Sequence, residues 1–111
     1  GPKKVVNQGT TFKNKYALDN LIAGIKSENH GVQKTCIYYA GLYKVEETVD
    51  CLIEVIKKSK EEDIQKLVVL SLYEIKDEHG IEFLKNYSSR CPNKDVKRIS
   101  LLAYRDYKSN K

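Results

Sequence analysis

From Tyr16 onward the apolar residues of this chain return every three or four positions, the spacing of one face of an α-helix. Leu18, Leu21, Ile22 and Ile25 predict a first helix over about 16–27, ended by Asn29-His30-Gly31. A second is expected over 32–43, with Val32, Cys36, Tyr39, Ala40 and Tyr43 as its core stripe. A third, over 46–58, carries Val49, Leu52, Ile53 and Ile56 on one face. The fourth spans 63–75 and opens at Asp63, a residue type that caps helix N-termini. The fifth, 78–88, carries Ile81, Leu84 and Tyr87. Cys91-Pro92-Asn93 then breaks the chain, because proline cannot continue a helix, and a sixth helix runs from Asp95 to about Tyr107. No useful length alternates with the period two of a strand. Residues 1–14 lack helical period and contain Gly9-Thr10-Thr11, so they read as an extended arm with Val5, Val6 and Phe12 able to dock elsewhere. The expected organisation is an arm over 1–15, a helical domain over 16–107 and a frayed tail over 108–111.

These elements repeat. Gly31-Val32-Gln33-Lys34, Asp63-Ile64-Gln65-Lys66 and Asp95-Val96-Lys97-Arg98 begin at 31, 63 and 95, a spacing of 32 each time. Between them recurs a second phrase: Leu18-Asp19-Asn20-Leu21-Ile22, Val49-Asp50-Cys51-Leu52-Ile53, and Ile81-Glu82-Phe83-Leu84. Self-similarity at this period marks a stacked array whose units cannot bury their apolar faces alone. Leu21, Ile22, Val32, Leu52, Ile53, Ile64, Leu72, Leu84 and Val96 are the expected core.

At these positions the chain resembles HEAT repeats of the short bacterial type. Val32-Gln33-Lys34 through Ala40-Gly41, then Glu47-Thr48-Val49-Asp50-Cys51-Leu52-Ile53, follow that pattern, and so do Ile64-Gln65-Lys66 through Ser71-Leu72 and Ile81-Glu82-Phe83-Leu84. The resemblance covers about 17–107. It implies an all-α fold, a right-handed α-solenoid of two full repeats flanked by two half repeats. First-type helices would line the convex face and second-type helices the concave one. It also implies a non-catalytic scaffold or adaptor for protein–protein interaction, and the lack of any Met adds the expectation of a fragment or mature form of a longer protein. Tyr39, Tyr43, Val68 and Val69 depart from the pattern, which has small residues there. The sixth helix carries Ile99, Leu101, Leu102, Tyr104 and Tyr107 with no helix after it to cover them.

Composition narrows the classes. With 111 residues, 41% of them hydrophobic and 32% charged, the chain makes one globular domain. No stretch approaches the roughly 20 apolar residues of a membrane helix. The net charge of +5 and pI near 9.0 keep a nucleic-acid-binding helical-repeat domain as the alternative reading. Against it, the lysines lie among acids, as in Lys57-Lys58-Ser59-Lys60-Glu61-Glu62, which describes a solvated surface. Three cysteines exclude a dense disulfide framework and show no Cys-x-x-Cys spacing. Cys36 and Cys51 flank the 44–46 turn at similar distances, and read either as a disulfide of an exported protein or as small buried side chains. Gly1-Pro2 has the form of an expression-tag scar and there is no Met, so both an exported mature form and a cytoplasmic fragment remain open.

Three columns are candidates for contact. Asp19, Asp50 and Glu82 recur in the second-type helices, where first-turn carboxylates suit the helix dipole. Lys34, Lys66 and Arg98 recur at the start of the first-type helices, the wrong end for a cation, so pairing with Glu61, Glu62 or Asp77 is expected to offset the dipole. Ile37, Tyr38, Val69, Leu70, Leu101 and Leu102 point away from the expected core stripe, as a contact surface would. That surface would serve a protein partner of unstated identity, a homodimer, or the arm. The acidic column speaks against nucleic acid. His30 and His79 have no partner at metal-ligand spacing, and no glycine-rich phosphate loop or nucleophile turn is present, so neither catalysis nor a cofactor is expected.

Overall fold

The computed structural model describes residues 15–110. The expected arm, including Val5, Val6 and Phe12, lies outside the described residues. Among the described residues six α-helices follow one another: α1 (Lys15–Ile25), α2 (His30–Leu42), α3 (Val49–Lys58), α4 (Glu62–Ile75), α5 (Glu78–Ser88) and α6 (Lys94–Ser109). A single 3-10 turn, Glu46–Thr48, leads into α3, and no strand occurs among the described residues. α6 continues to Ser109, so Lys108 and Ser109 are helical where a frayed tail was expected.

The helices form two layers, the arrangement of an α-solenoid. α2, α4 and α6 pack side by side in one, and α1, α3 and α5 in the other. The slab is 16 Å across its thinnest direction, the thickness of two helix layers at backbone level. The core holds Ile25, Ile37, Leu52, Ile56, Ile64, Val68, Val69, Leu72, Ile81, Leu84 and Val96, all fully buried. Leu21, Ile22 and Ile53 are partly buried against this core.

Local sequence starts and stops each element. Asn29, Asp77 and Asn93 cap α2, α5 and α6 by accepting from the amides of Val32, Gly80 and Val96. Asp63 does not cap α4 as expected: the helix starts one residue earlier, and the Asp63 carboxylate accepts from Ile64 and faces Lys34 instead. Gln33 and Gln65, one period apart, donate side-chain amides to the carbonyls of Ile25 and Ser59. Each satisfies a carbonyl left over at or just past the end of the preceding helix.

α2 is turned about its axis relative to the expected core stripe. Ile37, Ala40 and Gly41 are its buried residues, while Val32, Tyr39 and Tyr43 are exposed and Cys36 is half-buried. The reason is that a first-type helix has apolar residues on two sides. Ile64, Val68, Ser71 and Ile75 of α4 stand one period after Val32, Cys36, Tyr39 and Tyr43, and all four are buried. Ser71 donates to the Ile37 carbonyl at 2.7 Å, which shows that this side of α4 faces α2. On α2 the same side has no preceding first-type helix to face among the described residues.

Candidate protein-contact surface

Ile37 and Val69 are fully buried, so they leave the expected outward column and join the core. They lie on the side of α2 and α4 that faces the next first-type helix. Leu101, their counterpart on α6, is half-buried. The residues one step further around each helix keep the outward place. Tyr38, Leu70 and Leu102 are 53%, 54% and 52% exposed. Each sits on the outer side of one helix of the α2–α4–α6 layer, so the 32-residue period lays them out as an apolar strip across three neighbouring helices. Leu42, also exposed, extends it one turn along α2.

The strip has a charged rim. One turn towards the helix N-termini from Tyr38, Leu70 and Leu102 stand Lys34, Lys66 and Arg98. Lys34 pairs with Asp63 of the next helix at 2.6 Å. Lys66 pairs with Glu62 at 2.7 Å and faces Asp95 of the next helix at 3.9 Å. Arg98 faces Asp95 at 3.5 Å. Glu62 also accepts from the Asn93 amide at 3.1 Å. The basic column is therefore neutralised by acids at the starts of α4 and α6, and only Glu62 of the expected partners takes part. Hydrogen bonding to Asp63 and to Glu62 raises the Lys34 and Lys66 ammonium groups above their ordinary 10.5. Asp63 and Glu62 are correspondingly held below the usual carboxylate values, by Lys34 and by Lys66 with Asn93. At the other end of the strip Lys44 reaches Glu74 at 3.4 Å, and the Tyr73 hydroxyl donates to Asp106, which raises it above the ordinary tyrosine value.

The acidic column lies in the opposite layer. Asp50 is in the first turn of α3, but Asp19 and Glu82 sit a full turn inside α1 and α5. Each meets a different base: Asp19 pairs with Lys15 at 3.0 Å, Asp50 with His79 at 3.2 Å and Glu82 with Lys108 at 3.0 Å. The column is a row of local pairs rather than an open acidic ladder.

Two other features complete the surface. An open groove of about 560 Å³ lies between the α1–α2 and α3–α4 loops, with Lys26, His30 and Lys58 interleaved with Glu54 and Glu61. Its charges pair across it, as Lys26 does with Glu54 at 3.8 Å. Cys36, Cys51 and Cys91 are free thiols. Cys36 packs on Gly24 of α1, where any Cβ would lie 2.3 Å from its sulfur. Burial raises the Cys51 thiol above its ordinary value. No group of three or more His, Cys, Asp or Glu among the described residues is placed to hold a metal ion. No described helix is long and apolar enough to cross a membrane.

Two layers of antiparallel helices with a 32-residue register of core, strip and ion pairs match one description. A family model of HEAT repeats covers residues 18–105. The chain belongs to the HEAT repeat family. Comparison with curated proteins and with solved structures gives no match. The HEAT match runs from α1 into α6, so it spans both half repeats as well as the two full ones. Of the contact residues, sequence reasoning missed Leu42, which lies one helical turn from Tyr38 and was recoverable from that spacing alone.

Proposed function

We propose that this HEAT-repeat domain is a non-catalytic protein-interaction module that binds a protein segment along Tyr38, Leu70 and Leu102. The observation that carries the reading is the strip itself: three large apolar side chains, each half-exposed, repeated at the array period on adjacent helices. An apolar centre bordered by paired charges is the anatomy of a protein contact surface. Tyr38 offers the large, rigid anchor typical of such centres. The charges support the same reading over nucleic acid. Lys34, Lys66 and Arg98, the cations that border the strip, already face carboxylates and so are poorly placed to displace counterions from a phosphate backbone.

Selection from a random peptide phage library tests it. Peptides recovered on the wild-type domain should carry apolar anchors and lose binding at least tenfold to Leu70→Lys/Leu102→Lys. Equal binding to both proteins would remove the strip from the proposal. Binding of single-stranded or duplex DNA with a steep loss of affinity between 50 and 200 mM salt would favour the nucleic-acid reading instead.

A further inference from the structure

The charges of α6 are sorted onto different sides of the helix. Its two acids both turn towards α4: Asp95 faces Lys66, and Asp106 accepts from the Tyr73 hydroxyl. Lys94, Arg98, Leu101, Arg105 and Lys108 follow one another at steps of three or four, so they share the side turned away from α4, and Lys97 lies one turn before Leu101 on that side. All five cations are exposed, and no acid interrupts them. Arg98 faces Asp95, and Lys108 is held by Glu82 and Glu78 of α5. Lys94, Lys97 and Arg105 make no ion pair among the described residues.

The 32-residue register shows that this charge is particular to α6. Gln33 and Gln65 hold the place of Lys97 in α2 and α4, and Gly41 and Tyr73 hold that of Arg105. Glu62, which binds Lys66, stands in α4 where α6 has Lys94, so the sign of the charge is reversed there. Neutral or acidic places in α4 thus become three unpaired cations in α6. A surface of one sign attracts a partner of the other and sets its orientation.

The basic side is continuous with the apolar strip. Leu102, the strip's last member, stands one helical turn from Arg98 and one from Arg105. A chain lying across Tyr38, Leu70 and Leu102 in that direction runs onto the cations. A polynucleotide has no apolar anchors for the strip. Tyr104, the ring next to the basic side, is covered by Lys85 and Lys108 at 5.5 and 5.6 Å, so it offers no open face for a base to stack on. Both observations favour a protein segment.

We infer that the side of α6 carrying Lys94, Lys97 and Arg105 binds an acidic protein segment, the continuation of the chain that lies along the strip. The acidic class follows from α6 alone, and the continuation rests on the function proposed above. Neighbouring helices are about 8–10 Å apart and an extended chain advances about 3.3 Å per residue. The partner therefore carries apolar anchors about three residues apart, with its acids beyond the last of them.

Fluorescence anisotropy at low salt tests this with three kinds of labelled probe. One is a peptide of ten glutamates. The second joins that peptide, in both orders, to a serine block with leucines three residues apart. The third is a single-stranded DNA 11-mer, which also carries ten charges. One leucine–glutamate order should bind the wild type at least tenfold more tightly than glutamate alone or DNA. Lys94→Glu/Lys97→Glu/Arg105→Glu should weaken both peptides at least tenfold. Its three places are exposed, and an acid at Lys94 suits the first turn of α6, so the fold is kept. Lys57→Glu/Lys58→Glu/Lys60→Glu makes the same change in net charge at exposed places elsewhere and should weaken them less than threefold. Equal losses in the two charge-reversed proteins would overturn the inference, because net charge alone would then explain binding. Tighter binding of DNA than of either peptide, lost in the α6 variant, would also overturn it and make nucleic acid the partner of this side. Leu70→Ser/Leu102→Ser should remove only the gain from the leucine block. If glutamate binds as expected and the leucine block adds nothing, the strip and the continuation fail while the acidic class for α6 stands.

Discussion

Ser71 of α4 lies against Gly41 of α2 so closely that a Cβ built on Gly41 would stand 2.8 Å from the Ser71 Cα. The approach also brings the Ser71 hydroxyl to the Ile37 carbonyl at 2.7 Å, in a fully buried contact. Gly41→Ala should therefore destabilise the protein by about 1–3 kcal/mol, the usual cost of overpacking, even though alanine is the better helix former. Gly31→Ala is the control. Its Cβ would meet only the Asn29 side-chain oxygen at 3.4 Å, so the same exchange should stabilise by about 0.4–1 kcal/mol. Urea unfolding of the two variants should give shifts of opposite sign.

Ser100 of α6 is fully buried, and its hydroxyl has no hydrogen-bond partner. Val68 and Cys36 hold the same place in α4 and α2, so the site is built for an apolar or weakly polar group. Leaving a hydroxyl unpaired in the interior costs about 1–3 kcal/mol, and alanine removes it with almost no change in volume. Ser100→Ala should raise stability by about 1 kcal/mol and the melting temperature by about 4 °C or more. A lower melting temperature would mean that the hydroxyl finds a partner.

The helices, their order and the period were legible because apolar spacing and repeat register are properties of sequence alone. Leu52, Ile64, Leu72, Leu84 and Val96 are buried as expected. The rotation of α2 was not legible. Val32, Cys36, Tyr39 and Tyr43 read as a core stripe because an interior first-type helix buries all four of these places, as α4 does; on α2, Val32 and Cys36 reach only Gly24 of α1, and Tyr39 and Tyr43 stay exposed. Ile37 and Gly41 are the side that α2 turns towards its successor. An interior helix buries both sides, an end helix only one, and the sequence of α2 does not say which neighbour is present. The same ambiguity split the outward column, keeping Tyr38, Leu70 and Leu102 outside and drawing Ile37 and Val69 in. The ion-pair partners were hidden for another reason. Lys34 reaches Asp63 across an interface whose stagger follows from the close approach at Gly41.

Neighbouring residues of α4 should therefore behave in opposite ways. Val69 is fully buried and Leu70 half-exposed. Leu70→Lys should change stability by no more than about 0.5 kcal/mol, as exposed substitutions do. Val69→Lys places a charge in the core without a partner, and it should cost more than about 4 kcal/mol or prevent folding. Circular dichroism on heating separates them. Similar losses for both would put α4 in the wrong rotation.

Stability should fall at both ends of the pH scale, and the ladder at the first-type helix starts fixes the signs. Asp63 and Glu62 are held below their ordinary 3.8 and 4.5, chiefly by hydrogen bonds from Lys34 and Lys66. Their contribution is complete above those ordinary values and is lost as the pH falls through the lowered ones. Lys34, Lys66 and Lys108 are raised above 10.5 by Asp63, Glu62 and Glu82. Their contribution is complete below 10.5 and is lost as the pH rises through the raised values. Replacing Lys34 and Lys66 by Met should cost stability at pH 7 and progressively less below about pH 4, where the acids become neutral and the wild type has lost the same pairs. These groups face water, so 0.5 M salt should shrink the difference at pH 7 as well. Urea unfolding of wild type and variant at pH 3 and 7, with and without salt, measures this. A difference that stays constant across pH and salt would mean that the two lysines stabilise through their aliphatic stems rather than their charge.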